Sequence, residues 1–203
     1  RGEHLWCQLF SEPEAGSDLF GMRTTAVPDG DVLVVNGQKI WSSTADHADF
    51  GLMLARTEPG STGRRGIGCF VVDMRSPGVT VRPIRQLGGP AEFAEVFFDD
   101  VRVPRGNVVG ELGDGALAAL RVLASERSGL SMASYAGLAA QFEDLVRLAP
   151  PGGGRYRAEL LALWEALAVQ RLGAIRQASA PPGDEPPLGA AAAGKLAVGT
   201  INV

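Results

Sequence analysis

The first hundred residues carry short apolar runs separated by turn residues, which is typical of β-strands in a sandwich or barrel. The candidate strands are Leu5–Phe10, Arg23–Val27, Asp31–Val35, Gln38–Ser43, Phe50–Arg56, Gly66–Asp73, Val79–Ile84 and Glu95–Phe98. Pro28-Asp29-Gly30 predicts one turn between them. Asn36-Gly37 is the dipeptide favoured by a type I′ hairpin, so it predicts a second. The charged, glycine-rich segment from Gly60 to Gly66 predicts a mobile loop.

After Gly110 the apolar positions change to helical spacing, with leucines at 117, 120, 123, 130 and 138. Pro150-Pro151-Gly152-Gly153-Gly154 must end this helix, and a second amphipathic run extends from Arg155 to Ala178. A third helical piece is expected after the proline-rich segment 181–187. The pattern predicts a segregated α+β fold, with an antiparallel β-barrel or sandwich over residues 1–111 and a truncated helical bundle over residues 112–203. Because the sequence lacks an initial Met and stops inside a helix-like segment, we expect a fragment of a longer protein.

Composition narrows the class of protein. The 203 residues are 45% hydrophobic and 21% charged, as in ordinary globular proteins. The net charge of −4 argues against a nucleic-acid partner. No apolar stretch approaches the length of a membrane span and the N-terminus lacks a secretory pattern, so we expect a cytoplasmic protein. Cys7 and Cys69 lack metal-site spacing, which predicts buried thiols and no metal.

Two polar segments stand out as a candidate binding site. The first runs from Phe10 to Asp18, where a strand end meets a turn of small and hydroxylated residues that lets backbone N–H groups approach a ligand. The second contains Trp41 and Ser43, which are two apart on a predicted strand and therefore project from one face. Together they offer an aromatic wall and a hydroxyl to a flat, polar-edged ring. The alternative is that the first segment is an ordinary loop and that Trp41 belongs to the core.

These segments resemble the paired flavin-binding segments of the acyl-CoA dehydrogenase family. The sequence has Ser11-Glu12-Pro13-Glu14-Ala15-Gly16-Ser17-Asp18, close to the family pattern S/T-E-P-x-A-G-S-D, and then Asn36-Gly37-Gln38-Lys39-Ile40-Trp41. The likeness continues through Glu95–Pro104 into Glu126-Arg127, and so covers roughly residues 5 to 140. It implies an oxidoreductase of lipid metabolism and fatty-acid β-oxidation. Such an enzyme uses FAD to convert an acyl-CoA thioester to its trans-2-enoyl-CoA, passes electrons to an electron-transfer flavoprotein, and assembles as a homo- or hetero-oligomer, either a dimer or a tetramer.

The resemblance also implies roles for individual residues. Ser11 would lie near the pyrimidine ring of the flavin, Ser17 near phosphate and acyl-CoA, and Trp41 over the ring. Ser43 would approach flavin N5. The implied cofactor-binding set is Gln8, Phe10, Ser11, Gly16, Ser17, Trp41 and Ser43.

The reaction needs a base that removes an α-proton while hydride leaves the β-carbon. In part of the family this base is the Glu of a Leu-x-x-Glu-Arg run, which matches Glu126, and Arg127 would then line the substrate channel. Glu126 falls at helical spacing from Leu123 and Leu130, so it is predicted on an apolar face, where desolvation would suit it to proton abstraction. The alternatives are a Glu126 at the edge of the apolar face with its carboxylate in water, a structural Glu126 paired with Arg121 or Arg127, and a base elsewhere in the protein.

Other functions fit the same resemblance. One is a non-catalytic partner subunit of a mixed acyl-CoA dehydrogenase oligomer. The others are flavin enzymes of the same fold, such as an acyl-CoA oxidase or a flavin monooxygenase. The length and branching of the acyl group are not determined by the sequence.

Overall fold

A computed structural model of the chain describes residues 2–179, 196 and 199, except for the side chains of residues 127–132. The chain divides into two compact units, Arg1–Leu120 and Arg121–Val203. The strands end at Pro104. Because the first unit continues to Leu120, it also includes the connection after the strands and the beginning of the first helix. The expected third helical piece lies outside the described residues, apart from two isolated positions.

The first unit is a curled sheet. Its strands are β1 (Trp6–Leu9), β2 (Thr25–Asp29), β3 (Val32–Ser43), β4 (Phe50–Arg56), β5 (Ile67–Asp73), β6 (Val79–Ile84) and β7 (Phe93–Pro104). Their order is β1-β4-β2-β3-β7-β6, with β5 beside β4. The α-helices α1 (Gly115–Leu148) and α2 (Arg157–Ala178) follow the strands, which confirms the predicted segregated fold. Most pairs are antiparallel, but β1 joins β4 in parallel, as does β2 through a single residue pair.

The core lies on the inner face of this sheet. It is built from residues such as Leu9, Leu33, Met53 and Phe70, which are fully buried. Their removal from water is the main force that closes the sheet. Cys7 and Cys69 are free and buried, as predicted, and burial raises the pKa of each thiol to about 11.

The predicted hairpin at Asn36-Gly37 is wrong, because both residues lie inside the continuous strand β3. The Asn36 amide donates to Asp100 Oδ1 at 2.9 Å and accepts from the Asp100 N–H at 2.9 Å, which ties β3 to β7 at an irregular step in their register. Gly37 has φ 145°, and a Cβ there would lie 2.8 Å from Thr24 Cα. The tight turn is instead at Gly30, between β2 and β3. Asn36-Gly37 therefore serves cross-strand contact rather than chain reversal.

We expect Gly37→Ala to destabilise the first unit strongly. The new methyl would meet Thr24 Oγ1 at 2.6 Å and its Cα at 2.8 Å, in a backbone conformation that side chains rarely adopt. Overpacking and positive φ together predict a loss of about 2–4 kcal/mol in the free energy of unfolding, measured by chemical denaturation. Gly30→Ala is the matched control, because Gly30 has φ 58° but no atom within 4 Å of its Cβ position. It should cost only about 1 kcal/mol, and equal losses would contradict the close-approach argument.

The second unit contains most of α1 and all of α2, joined by the predicted helix break. Gly152 and Gly153 have φ of 71° and 81°, which a residue with a side chain adopts only with strain. The facing parts of the helices form an apolar groove lined by residues that include Phe142, Val146 and Trp164. Among the described residues no helix is both long and apolar enough to cross a membrane.

Candidate functional site

The first predicted segment follows β1 and forms a closed turn. The Glu12 and Ala15 backbones exchange two hydrogen bonds, each of 3.0 Å, around Pro13-Glu14. Phe10 is buried, Ser11 is half-buried, and Gly16 and Ser17 are exposed. The hydroxylated end of the segment is therefore open to a ligand, while its beginning is anchored in the core.

The second predicted segment is shaped by a β-bulge at the end of β3. Lys39 pairs with Val96 and Ser42 with Ala94, so two residues of β3, Ile40 and Trp41, oppose a single residue of β7. Trp41 adopts φ 60° within this bulge. Such an insertion changes which side chains point to the core.

Trp41, in the bulge, and Ser43, just after it, are exposed, whereas Ser42 between them is buried. The Trp41 side chain is 57% exposed and meets the Phe93 ring edge-on, with 6.1 Å between centroids. An aromatic face and a hydroxyl therefore project together from this stretch of β3.

The structure brings the two segments into direct contact. The Ile40 N–H donates to the Ser11 carbonyl at 2.9 Å. The Lys39 ammonium donates to the Phe10 carbonyl at 3.1 Å and to Glu12 Oε1 at 2.7 Å. Sequence reasoning assigned no role to Glu12 or Lys39, although both stand in the recognised segments. The available signal was a lysine inside a predicted strand, directly before Ile40 and Trp41.

Electrostatics keep both members of this pair ionised at neutral pH. Burial by itself would raise the pKa of Glu12, but the Lys39 charge and donated hydrogen bonds, including one from the Arg23 N–H, lower it below its usual value. Burial lowers the pKa of Lys39 to about 8, against the opposing effect of Glu12. A carboxylate and an ammonium therefore face each other inside the protein at pH 7.

The segment after Ser17 is held by Arg56 at the end of β4. Its guanidinium donates to the carbonyls of Met22 at 3.2 Å and of Phe20. It also donates to the Gly63 carbonyl at 3.1 Å and the Arg65 carbonyl at 2.8 Å, both in the loop predicted to be mobile. A single buried cation thus fixes the backbone of two surface segments.

Glu126 and Arg127 lie in α1, within the second unit, whereas the two segments belong to the first. Glu126 is exposed, so the expected desolvation is absent from its described surroundings. The Arg127 side chain lies outside the described residues. The assignment of the base therefore stays a prediction from the resemblance.

Comparison with known proteins supports the resemblance that the two segments indicate. A family model described as "Acyl-CoA dehydrogenase, middle domain" matches residues 7–101. The acyl-CoA dehydrogenase FadE34 of Mycobacterium tuberculosis is 47% identical over 148 residues, which are 73% of this chain and 20% of that protein. This chain belongs to the acyl-CoA dehydrogenase family. The expected resemblance is confirmed.

Further relatives extend the likeness of this acyl-CoA dehydrogenase family member beyond the matched domain. The acyl-CoA dehydrogenase IpdE1 of M. tuberculosis is 41% identical over 186 residues, covering 90% of the chain and 48% of that protein. A variant of the Tcur3481-Tcur3483 steroid ACAD superposes with a TM-score of 0.85 at 30% identity, covering 99% of this chain and 53% of that one. The chain thus spans about half or less of these relatives.

Proposed function

We propose that this chain forms the flavin-presenting part of an FAD-dependent acyl-CoA dehydrogenase, which oxidises an acyl-CoA thioester to its trans-2-enoyl-CoA. The observation that carries the proposal is the direct joining of the two segments through Ile40, Ser11 and the Lys39–Glu12 pair. This contact supports the proposal because a pocket for one ring requires the two segments to meet.

The residues present fit a flavin. An isoalloxazine ring offers a broad aromatic face and an edge of carbonyl and ring-nitrogen acceptors. The exposed Trp41 ring supplies an aromatic partner. The Gln8 Nε2 group is buried without a hydrogen-bond partner among the described residues. The exposed Ser17 and Ser43 hydroxyls are available to such an edge. The proposed holding set is Gln8, Phe10, Ser11, Gly16, Ser17, Trp41 and Ser43.

The chemistry divides between the cofactor and the protein. FAD, when bound, supplies the acceptor for the hydride that leaves the β-carbon. The Glu126 carboxylate would take the α-proton onto one of its oxygens, and Ser17 and Arg127 would orient the acyl-CoA. Alignment of the base with the substrate is the protein's main contribution. Groups that are held in place avoid most of the entropy cost of bringing the base and the substrate together.

The whole protein's partners are part of the proposal. Reduced flavin would pass its electrons to an electron-transfer flavoprotein, and the protein would act in the cytoplasm as an oligomer. The likeness to the Tcur3481-Tcur3483 steroid ACAD favours a steroid acyl group over a simple straight chain. The same likeness supports the second candidate, a partner subunit of a mixed oligomer that contributes only part of a flavin site.

The test is flavin binding by the protein expressed from its complete open reading frame. FAD is titrated into apoprotein, and the holoprotein is mixed with acyl-CoA without oxygen. We expect a yellow protein that bleaches with acyl-CoA and reoxidises slowly in air. A protein that acquires flavin only with a second chain would select the partner subunit, and rapid reaction of the reduced flavin with oxygen would select an oxidase or monooxygenase.

Trp41→Ala should raise the dissociation constant for FAD about tenfold or more, because an aromatic contact and its buried area are lost. Trp164→Ala is the matched control, since Trp164 is also 57% exposed but lies in α2. It should leave FAD binding unchanged. If the two variants bind FAD with equal affinity, Trp41 is not part of the pocket.

A further inference from the structure

We propose that Glu12 and Lys39 are positioning residues for the flavin, a role that rests on the proposed function. Their buried ion pair sets the geometry between the Phe10–Ser11 segment and the bulged end of β3. The pair would act through Ser11 and Trp41, without touching the cofactor itself.

The pair is buried to an extent that stability alone does not explain. Lys39 is fully buried and Glu12 is 7% exposed. Taking two charges out of water costs several kcal/mol per ion, and well-packed apolar residues often serve stability as well or better. A buried pair is therefore weak evidence for stability and better evidence for a required geometry.

The contacts of the pair bracket Ser11. Lys39 Nζ binds the Phe10 carbonyl on one side of Ser11 and the Glu12 carboxylate on the other. Between them, the Ser11 carbonyl accepts from the Ile40 N–H, the residue that follows Lys39. Three consecutive residues of the first segment are thus bound to two consecutive residues of the second.

Glu12 extends the same network to a third stretch of chain. Its carboxylate accepts from the Arg23 N–H at 2.6 Å and from the Thr24 N–H at 3.0 Å. Thr24 in turn packs against Gly37, near the other irregular step of β3. The ion pair therefore joins the turn after β1, the start of β2 and both irregular steps of β3.

The choice of lysine also points to a geometric requirement. Lys39 and Lys195 are the only lysines among the 19 lysine and arginine residues of the sequence. A guanidinium would bring five donors on a planar fork to a site that offers two acceptors, leaving buried donors unpaired. The compact ammonium at the end of a long apolar stem fits this site better.

The decisive variant is the double change Glu12→Gln with Lys39→Met, made in the protein from the complete open reading frame. It removes both charges together, so no unpaired charge is left inside the protein. Measurements are thermal unfolding of the apoprotein, the dissociation constant for added FAD, and the visible absorption spectrum of the bound flavin. We expect near-normal unfolding, an FAD dissociation constant raised about tenfold or more, and a changed flavin spectrum.

The control removes an exposed pair instead. Arg102 and Asp29 form an ion pair at 3.0 Å with side chains 63% and 60% exposed. Asp29→Asn with Arg102→Met should change neither FAD affinity nor spectrum, because surface pairs contribute little. Wild-type affinity and spectrum in the Glu12→Gln, Lys39→Met protein would overturn the positioning role and leave the pair a structural feature.

Two further outcomes have defined meanings. If the double variant does not fold, Glu12→Asp alone carries the test, because it keeps both charges but shortens the side chain that meets Lys39 and the Thr24 N–H. It should weaken FAD binding roughly threefold, and an unchanged affinity would reject the proposal. If the wild-type protein itself binds no FAD, the proposed function fails, which this experiment separates from failure of the positioning role.

Discussion

Replacement of Glu126 by Gln is expected to slow flavin reduction by acyl-CoA roughly 10²- to 10⁴-fold, the usual loss for a positioned general base. The amide keeps the size of the side chain but does not accept the α-proton as a carboxylate does. FAD content should be unchanged, because the proposed pocket is built from the first unit and Glu126 lies in α1. The measurement is anaerobic stopped-flow absorbance of the holoprotein, with circular dichroism to check the fold.

Glu143→Gln is the matched control for this prediction. Glu143 is also exposed on α1, so the same chemical change is made on the same helix. It should leave the reduction rate unchanged. A fall of less than about tenfold in the Glu126 variant, with flavin intact, would place the base elsewhere in the protein.

The fold class and the location of the two polar segments were predictable from the sequence because each has a local signature. Alternating apolar residues bounded by glycine and proline predicted the strands, and helical spacing predicted α1 and α2. The resemblance paired the two segments correctly. Trp41 and Ser43 are both exposed, as two residues projecting from one face would be, although a bulge rather than a regular strand produces this arrangement.

The failed hairpin shows where local signals end. Asn36-Gly37 has the composition of a turn, but its glycine is required by Thr24 and its asparagine by Asp100. Asp100 lies 64 residues further along the chain than Asn36. No local pattern records such a contact, and a glycine that permits close approach looks the same in sequence as a glycine that permits a turn.

The roles of Lys39 and Glu12 are missed for the same reason, because their contacts join residues that are distant in sequence. Lys39 and Glu12 are 27 residues apart, so their pairing depends on how the segments pack. The loop predicted to be mobile is held by Arg56, which lies just before it and whose side chain turns back onto its carbonyls. Charged residues are usually solvated, and burial through satisfied hydrogen bonds is the exception that needs a structure.

Gly115→Ala is expected to lower the stability of the protein, measured as the free energy of unfolding by chemical denaturation. Gly115 begins α1, and a Cβ there would lie 2.5 Å from the Gly68 carbonyl carbon and 2.7 Å from the Ile67 carbonyl oxygen. Both are backbone atoms of β5, so the start of the helix must move away from the strand to remove the clash. Ala119, one turn further on, is fully buried and would lose its packing.

Alanine in place of glycine normally favours a helix by about 1 kcal/mol, so a loss of stability would be opposite in sign to the propensity effect. We expect the free energy of unfolding to fall by about 1–3 kcal/mol. FAD binding should remain, since Gly115 contributes nothing to the two segments.

Gly113→Ala is the control, because no atom lies within 4 Å of its Cβ position. If both alanine variants keep wild-type stability, the contact with β5 does not constrain the start of α1.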